Sequence, residues 1–359
     1  MAKEQKTMME TLQGEVCASW NKASSRLAAV LAVLIMVGLP LVFQDYYFNI
    51  LQVKYWYYCG VVIAAAVIYV IMAVIFWNRD RKWCDGALLK GLKSNLSLKS
   101  LTVAEWAMLA FLLASAISTL QSEYVYESFW GNEGRFVGLF MIILYTISFF
   151  IIARKLEFKK WYLDVFLGTG MIVCLIGILH YFEFDPIGFK NDLNYLDYVD
   201  FTSTIGNINT YTSYLALVVG VSTVLFTVEK EAKRKVWYTV CVVISLFALI
   251  TGISDNAYLT LLALLGLLPF VLFNSVKGVR NYVVILAIVC TEFIGIGFTV
   301  DKFPEHVLAI NGLFNVITDF KGLPVITVVL WILGIGLYFA ERNVLKNAKE
   351  SNLGRWIWL

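Results

Sequence analysis

Residues 56 to 77 read WYYCGVVIAAAVIYVIMAVIFW, a run without a charge, with Lys54 before it and Arg79 after it. About 20 helical residues cross the ~30 Å hydrocarbon core of a bilayer, and this run is that long. Lipid gives unpaired N–H and C=O groups no partner, so a segment that crosses it here is a helix. Comparable runs occur at Arg26 to Phe43, Val103 to Leu120, Phe136 to Ala153, Trp161 to Phe182, Asn207 to Val228, Val236 to Gly252, Asp255 to Phe273, Tyr282 to Val300 and Gly322 to Ala340. Hydrophobic residues make up 60 % of the chain and charged residues 15 %, against about half and a quarter in soluble domains. The sequence predicts an all-α polytopic transmembrane bundle of about ten spanning helices.

The loops set the expected orientation, because Lys and Arg collect in short cytoplasmic loops. All but five of the 29 Lys and Arg residues fall on one side of this alternation; the five are Lys54, Arg135, Lys190, Lys302 and Lys321. Both termini are therefore expected in the cytoplasm, in a multi-pass protein of the plasma membrane. Three parts follow: a cytoplasmic segment 1–25, a transmembrane domain 26–341 and a basic tail 342–359. No small-residue cleavage site follows the first apolar run, which reads as a signal anchor. The tail closes on Leu353-Gly354-Arg355-Trp356-Ile357-Trp358-Leu359, like the first turns of an eleventh helix, so an N-terminal portion of a longer product is expected.

Several classes are excluded. A net charge of +3, scattered between apolar runs, argues against nucleic acid. The six cysteines, Cys17, Cys59, Cys84, Cys174, Cys241 and Cys290, lack CxxC spacing, so neither a disulfide framework nor a metal site is indicated. No P-loop, GxSxG, HExxH or dinucleotide fingerprint is found, and no cofactor is predicted.

The loops expected outside are acidic and aromatic. They hold Glu123, Glu127, Glu133, Glu183, Asp185, Asp192, Asp197 and Asp200, with Tyr46, Tyr47, Tyr55, Trp56, Tyr57, Tyr58, Tyr124, Tyr126, Phe129 and Trp130. The aromatics form an interfacial belt or platforms for a sugar. Three polar groups open inward-running helices on this side: Gly131-Asn132-Glu133-Gly134-Arg135-Phe136, Gly206-Asn207-Ile208-Asn209-Thr210-Tyr211, and Gly252-Ile253-Ser254-Asp255-Asn256-Ala257-Tyr258. A helix N-terminus has free N–H groups and favours anions. Arg135 adds a fork of donors suited to phosphate. The same residues also have local readings. Asn207, Ser254 and Asp255 are good N-caps, worth ~1 kcal/mol each. Gly206 and Gly252 permit tight turns, and Arg135 has Glu133 and Glu127 for ion-pair partners. Glu292 sits in the middle of the ninth run, where a carboxylate is protonated, paired across helices or part of a polar path. His180 and His306, the only titratable bases near neutral pH, read as interfacial histidines.

Glu-Gly-Arg-Phe-Val-Gly-Leu at 133–139, Gly-Asn-Ile-Asn with Tyr-Thr-Ser-Tyr-Leu at 206–215, and Thr-Gly-Ile-Ser-Asp-Asn-Ala-Tyr-Leu at 251–259 resemble the successive motifs of the O-antigen ligase and polymerase family, over a core of 133–273. The resemblance implies a metal-independent glycosyltransferase acting on polyprenyl-diphosphate-linked glycans outside the cytoplasmic membrane, for surface polysaccharide assembly. It implies arginines on the lipid diphosphate, a role Arg135 matches, and a catalytic His in a long external loop. Here an acid, Asp255, stands where many members carry an Arg, and no long external loop follows the tenth run. His306, in a short loop, is the remaining catalytic candidate. The substrate-binding set expected is Arg135, Asn207, Asn209, Tyr211, Ser254, Asp255 and Asn256, with membrane lipid and the lipid-linked glycan as partners. A secondary transporter or glycan flippase, with Glu292 and Arg135 along its path, and a noncatalytic membrane scaffold are the alternatives.

Overall fold

The computed structural model describes residues 2–83, 98–132, 134–191 and 193–343. It forms two compact units, Met1–Tyr162 and Leu163–Leu359. Glu133, Asp192, the basic loop 84–97 and the tail 344–359, with the expected start of an eleventh helix, lie outside the described residues.

In the first unit, α1 (Ala2–Val33) runs on through a π-helical turn, Leu34–Gly38, into α2 (Leu39–Leu41). The polar segment 1–25 is thus helical from Ala2 onward. It is followed by α3 (Ile50–Trp83), α4 (Val103–Gln121), the short α5 (Val125–Trp130) and α6 (Leu139–Lys155). Helices α1, α3 and α6 share a core of Ala28, Leu31, Tyr58, Cys59, Val62, Met141 and Leu144. The small Ala28 and Cys59 let backbones come close, which is what drives helix association in lipid. Tyr58 keeps its hydroxyl satisfied in that core at 2.7 Å from Ser148 Oγ.

The π turn and the end of α2 leave carbonyls that lipid cannot satisfy, and α3 supplies the donors. Lys54 Nζ donates to the carbonyls of Leu39, Pro40 and Val42 at 2.8, 3.2 and 3.0 Å. Tyr57 donates its hydroxyl to Leu34 O at 2.9 Å. At the other end, Thr102 and Glu105 form a capping box on α4, and the buried Glu105 carboxylate also pairs with Arg154. Lys155 lies 5.4 Å from the centre of the Trp20 ring. One end of this unit is therefore basic, as the alternation of charge predicts.

The second unit contains α7 (Trp161–Tyr181), α8 (Tyr195–Asp200), and a two-stranded antiparallel ribbon of β1 (Phe201–Thr202) and β2 (Gly206–Asn207). Then come α9 (Ile208–Val228), α10 (Ala232–Ile250), α11 (Asn256–Leu272), α12 (Val276–Lys302), α13 (Leu313–Thr318) and α14 (Leu323–Asn343). Pro269 inside α11 cannot bond to Leu265 O, and Tyr282 of α12 donates its hydroxyl there at 3.1 Å. The basic loops of this unit also meet at one end. Tyr238 donates to Asp164 at 2.8 Å, Arg234 lies 3.5 Å from the same carboxylate, and Asn281 donates to Thr227 O at 3.1 Å.

Every apolar run read from the sequence falls on one of these helices. Seven are long and apolar enough to cross a membrane; the other three runs are helical over Leu139–Lys155, Ala232–Ile250 and Asn256–Leu272. Only 11 % of the Val103–Leu120 stretch is buried within the protein, so its exposed Phe111 and Leu113 face lipid in a chain of this kind. The fold is an all-α polytopic helical bundle, and the chain is a multi-pass membrane protein.

Candidate functional site

In the first unit, the segment from Gly131 to Gly138 is a loop pinched shut at its base. Gly131 has φ 86° and ψ 160°, a conformation essentially reserved for glycine. A Cβ there would lie 2.5 Å from Val137 N, and one on Gly138 would lie 2.6 Å from Trp130 C. Inside the loop, the N–H groups of Arg135 and Phe136 both donate to Asn132 O. Phe136 has φ 52°, and its ring stacks on Tyr55 at 4.7 Å. This arrangement presents Arg135 exposed on the rim of a hollow of about 510 Å³, with Ser122, Tyr124 and Glu127. Arg135 makes no ion pair among the described residues, so the expected pairing with Glu127 is not formed. Of the aromatic group, Tyr47, Tyr55 and Tyr58 are buried, whereas Tyr46, Trp56, Tyr124, Tyr126 and Trp130 are exposed.

In the second unit, the second and third motifs are brought together. Gly206, at φ 97°, brings the chain round from β1 into β2, and Asn207 caps α9 by accepting from Asn209 N–H at 3.0 Å. The Asn209 side chain crosses to the next motif, where its Oδ1 accepts from Ser254 Oγ at 2.7 Å. Asn256 Nδ2 donates to Asn209 O at 3.3 Å. The starts of α9 and α11 are thus stitched side to side by three of the expected residues, Asn209, Ser254 and Asn256. Gly252 serves by close approach, not by a left-handed turn: a Cβ would lie 2.6 Å from Thr212 Cγ2. The left-handed residue is Ile253, at φ 51°. Asp255 makes no side-chain cap and is exposed, and Ser254 Oγ takes the Asn256 N–H instead at 3.3 Å. Tyr211 is buried, its ring against Gly177 of α7, and belongs to the interior.

Below this stitch a groove of about 640 Å³ runs between α9 and α11. Ser213 and Asn256 form its polar head. Ala216, Gly220 and Val224 line one wall, and Leu259, Leu264 and Leu267 the other. Positions 213 to 224 span about 16 Å along α9 at ~1.5 Å per residue. The groove therefore accepts an extended apolar chain with a polar end group.

The sequence reading missed a second organised cluster in this unit. His180, read as interfacial, is buried at 1 % exposure. Its Nδ1 accepts from Ser203 N–H at 3.0 Å, which leaves the imidazole neutral with its proton on Nε2, 3.4 Å from Asp185 Oδ1. Asp185 accepts from the N–H groups of Gly188 and Lys190 at 2.9 and 2.7 Å. Burial raises its carboxyl pKa, but those backbone donors outweigh it and hold the pKa below the ordinary value. Lys190, buried at 4 % exposure, donates to Tyr198 O at 2.8 Å and lies 4.4 Å from the centre of its ring. The signal available in the sequence was Lys190 itself, a cation on the side where cations are scarce.

Burial pushes the Lys190 ammonium down to about 8, against the pull of Asp185 and Glu183. The folded pKa lies below the unfolded one, so the folded state holds fewer protons between them and stability rises with pH. The unfolding temperature is expected to climb between pH 8 and pH 10.5. Lys190→Met should flatten that rise, measured by thermal scans in detergent.

His306 is exposed in a 3-10 turn, Pro304–His306, with its backbone bonded to Phe303 O. Its loop is tied to α7 by Leu308 N–H donating to Tyr181 O at 2.9 Å. Glu292 is half-buried midway along α12 and has no hydrogen bond or ion pair among the described residues. Comparison with family models, curated proteins and solved structures finds no match to this chain.

Proposed function

We propose that this protein handles polyprenyl-diphosphate-linked glycans, as a glycosyltransferase-like protein of the O-antigen ligase and polymerase type at the plasma membrane. The observation that carries the reading is the groove between α9 and α11, with Ser213 and Asn256 at its head and an apolar length below. That is the shape and polarity of a prenyl chain with a polar end. Asn209 and Ser254 brace the head by hydrogen bonds, so the motif residues position it. In the first unit, exposed Arg135 is the cation that the resemblance assigns to diphosphate, and charge-assisted bonds of that kind are strong.

Gly220 gives a direct test, because a Cβ there meets nothing within 4 Å. Gly220→Phe should fold normally and fill the groove. Binding of a polyprenyl-diphosphate glycan to the purified chain is expected to weaken at least about tenfold in Gly220→Phe. Arg135→Ala tests the first unit by itself: binding of inorganic diphosphate is expected to weaken by a similar factor, since a hydrogen bond to a charged group contributes ~1.5–3 kcal/mol. Failure of the wild type to bind would overturn the reading. A second reading, a secondary transporter, is favoured by the unpartnered Glu292 within α12. It would gain if binding ignored both substitutions and solute uptake into vesicles fell in Glu292→Gln.

A further inference from the structure

At the basic end of the second unit, opposite the stitched motifs, a pocket of about 650 Å³ opens between α9, α10, α12 and α14. Its polar wall carries Lys230, Lys235, Arg280 and Asn281, and its apolar wall includes Val284, Trp331 and Ile335. The nearby acids are mostly engaged elsewhere. Glu229 accepts from the backbone N–H groups of residues 230 and 231 at 2.8 and 3.0 Å, and Glu231 faces Arg234. Glu341 pairs with Arg280, which also lies 5.6 Å from the centre of the Tyr338 ring. Neither Lys230 nor Lys235 has an ion-pair partner among the described residues. Three cations thus face one carboxylate in a concave site. Burial lowers the Lys235 pKa, and the charges of Arg280 and Lys277 lower it further, with Glu341 opposing, as expected where positive potential is uncompensated.

We propose that this pocket binds the phosphate head group of an anionic phospholipid, with Lys230, Lys235 and Arg280 on the phosphate and the acyl chains against Trp331 and Ile335. Basic pockets between transmembrane helices suit anionic head groups, and Trp331, midway along α14 with its indole N–H on Thr291 Oγ at 3.0 Å, lies at the depth of the acyl chains. An amphiphile fits both walls, whereas a free anion would use only one. The site is separate from the groove between α9 and α11 and does not depend on its function.

The test is native mass spectrometry of the full chain in detergent, titrated with phosphatidylglycerol, phosphatidylcholine or inorganic phosphate. The wild type is expected to retain phosphatidylglycerol at least about tenfold better than phosphatidylcholine. The double variant Lys230→Gln, Lys235→Gln should fall to near parity, at about fivefold for each lysine. Lys230→Arg with Lys235→Arg should keep the preference, as should Lys233→Gln, which lies outside the pocket. Equal retention of both lipids by the wild type overturns the proposal, whatever the variants do. So does displacement of phosphatidylglycerol by equimolar inorganic phosphate, which would mark a site for a free anion, and so does a preference undiminished in the double Gln variant.

Discussion

Gly131→Ala is expected to destabilise the first unit by about 4 kcal/mol. The backbone there is in a region that costs other residues ~1–3 kcal/mol. The added Cβ, 2.5 Å from Val137 N and 2.7 Å from Phe136 C, adds ~1–3 kcal/mol of overlap against main chain that cannot rotate away. Gly134, three residues on, is the internal control. It also has positive φ, 88°, but a Cβ there meets nothing within 4 Å, so Gly134→Ala should cost only the backbone part, about 1–2 kcal/mol. Thermal unfolding followed by a thiol-reactive dye reads both in a background that keeps Cys59 as its one cysteine, because Cys59 is buried in the same unit and reacts only on opening. Equal losses from the two substitutions would show that the loop is not closed at its base as described.

His180→Ala should cost the second unit about 4 kcal/mol. The side chain fills an interior site against Phe189, and its removal leaves a cavity. It also strips the buried Ser203 N–H of its acceptor, at ~1–3 kcal/mol for an orphaned group. His180→Asn separates these effects, because an amide oxygen can take the place of Nδ1. That variant should recover about half of the loss. Hydrogen exchange at the Ser203 amide supplies the local readout, with protection lost in His180→Ala and retained in His180→Asn. An unaltered exchange rate in His180→Ala would refute the assignment of Nδ1 as the acceptor.

The ten apolar runs were legible because length and hydrophobicity decide a lipid-crossing helix without help from distant residues. Charge alternation was legible for the same reason, and in each unit the predicted basic loops do meet at one end, as Arg154 with Glu105 and Arg234 with Asp164 show. The N-terminal motifs were legible as polar groups, but their division of labour was not. Ser254 and Asp255 are both good caps by residue type, and the choice between them falls to Asn209, 45 positions earlier, whose side chain claims Ser254 Oγ. Gly252 looked like a turn residue, yet its constraint is Thr212 on another helix. The cluster that His180 and Lys190 form was not legible because their partners, Ser203 and Tyr198, come from the connection between α7 and α9, whose path the hydrophobic pattern does not encode.

Lys54 bears on how the chain enters the bilayer. Inserted alone, the span Ile50–Arg79 carries an ammonium at its margin, while the preceding span carries three carbonyls that the end of α2 leaves without helical donors. Joined, each supplies what the other lacks, through the bonds from Lys54 to Leu39, Pro40 and Val42. An unmet backbone group costs several kcal/mol in hydrocarbon. The first two spans therefore favour lateral release from the insertion machinery as one paired hairpin, with the second helix leaving only after it has docked on the first.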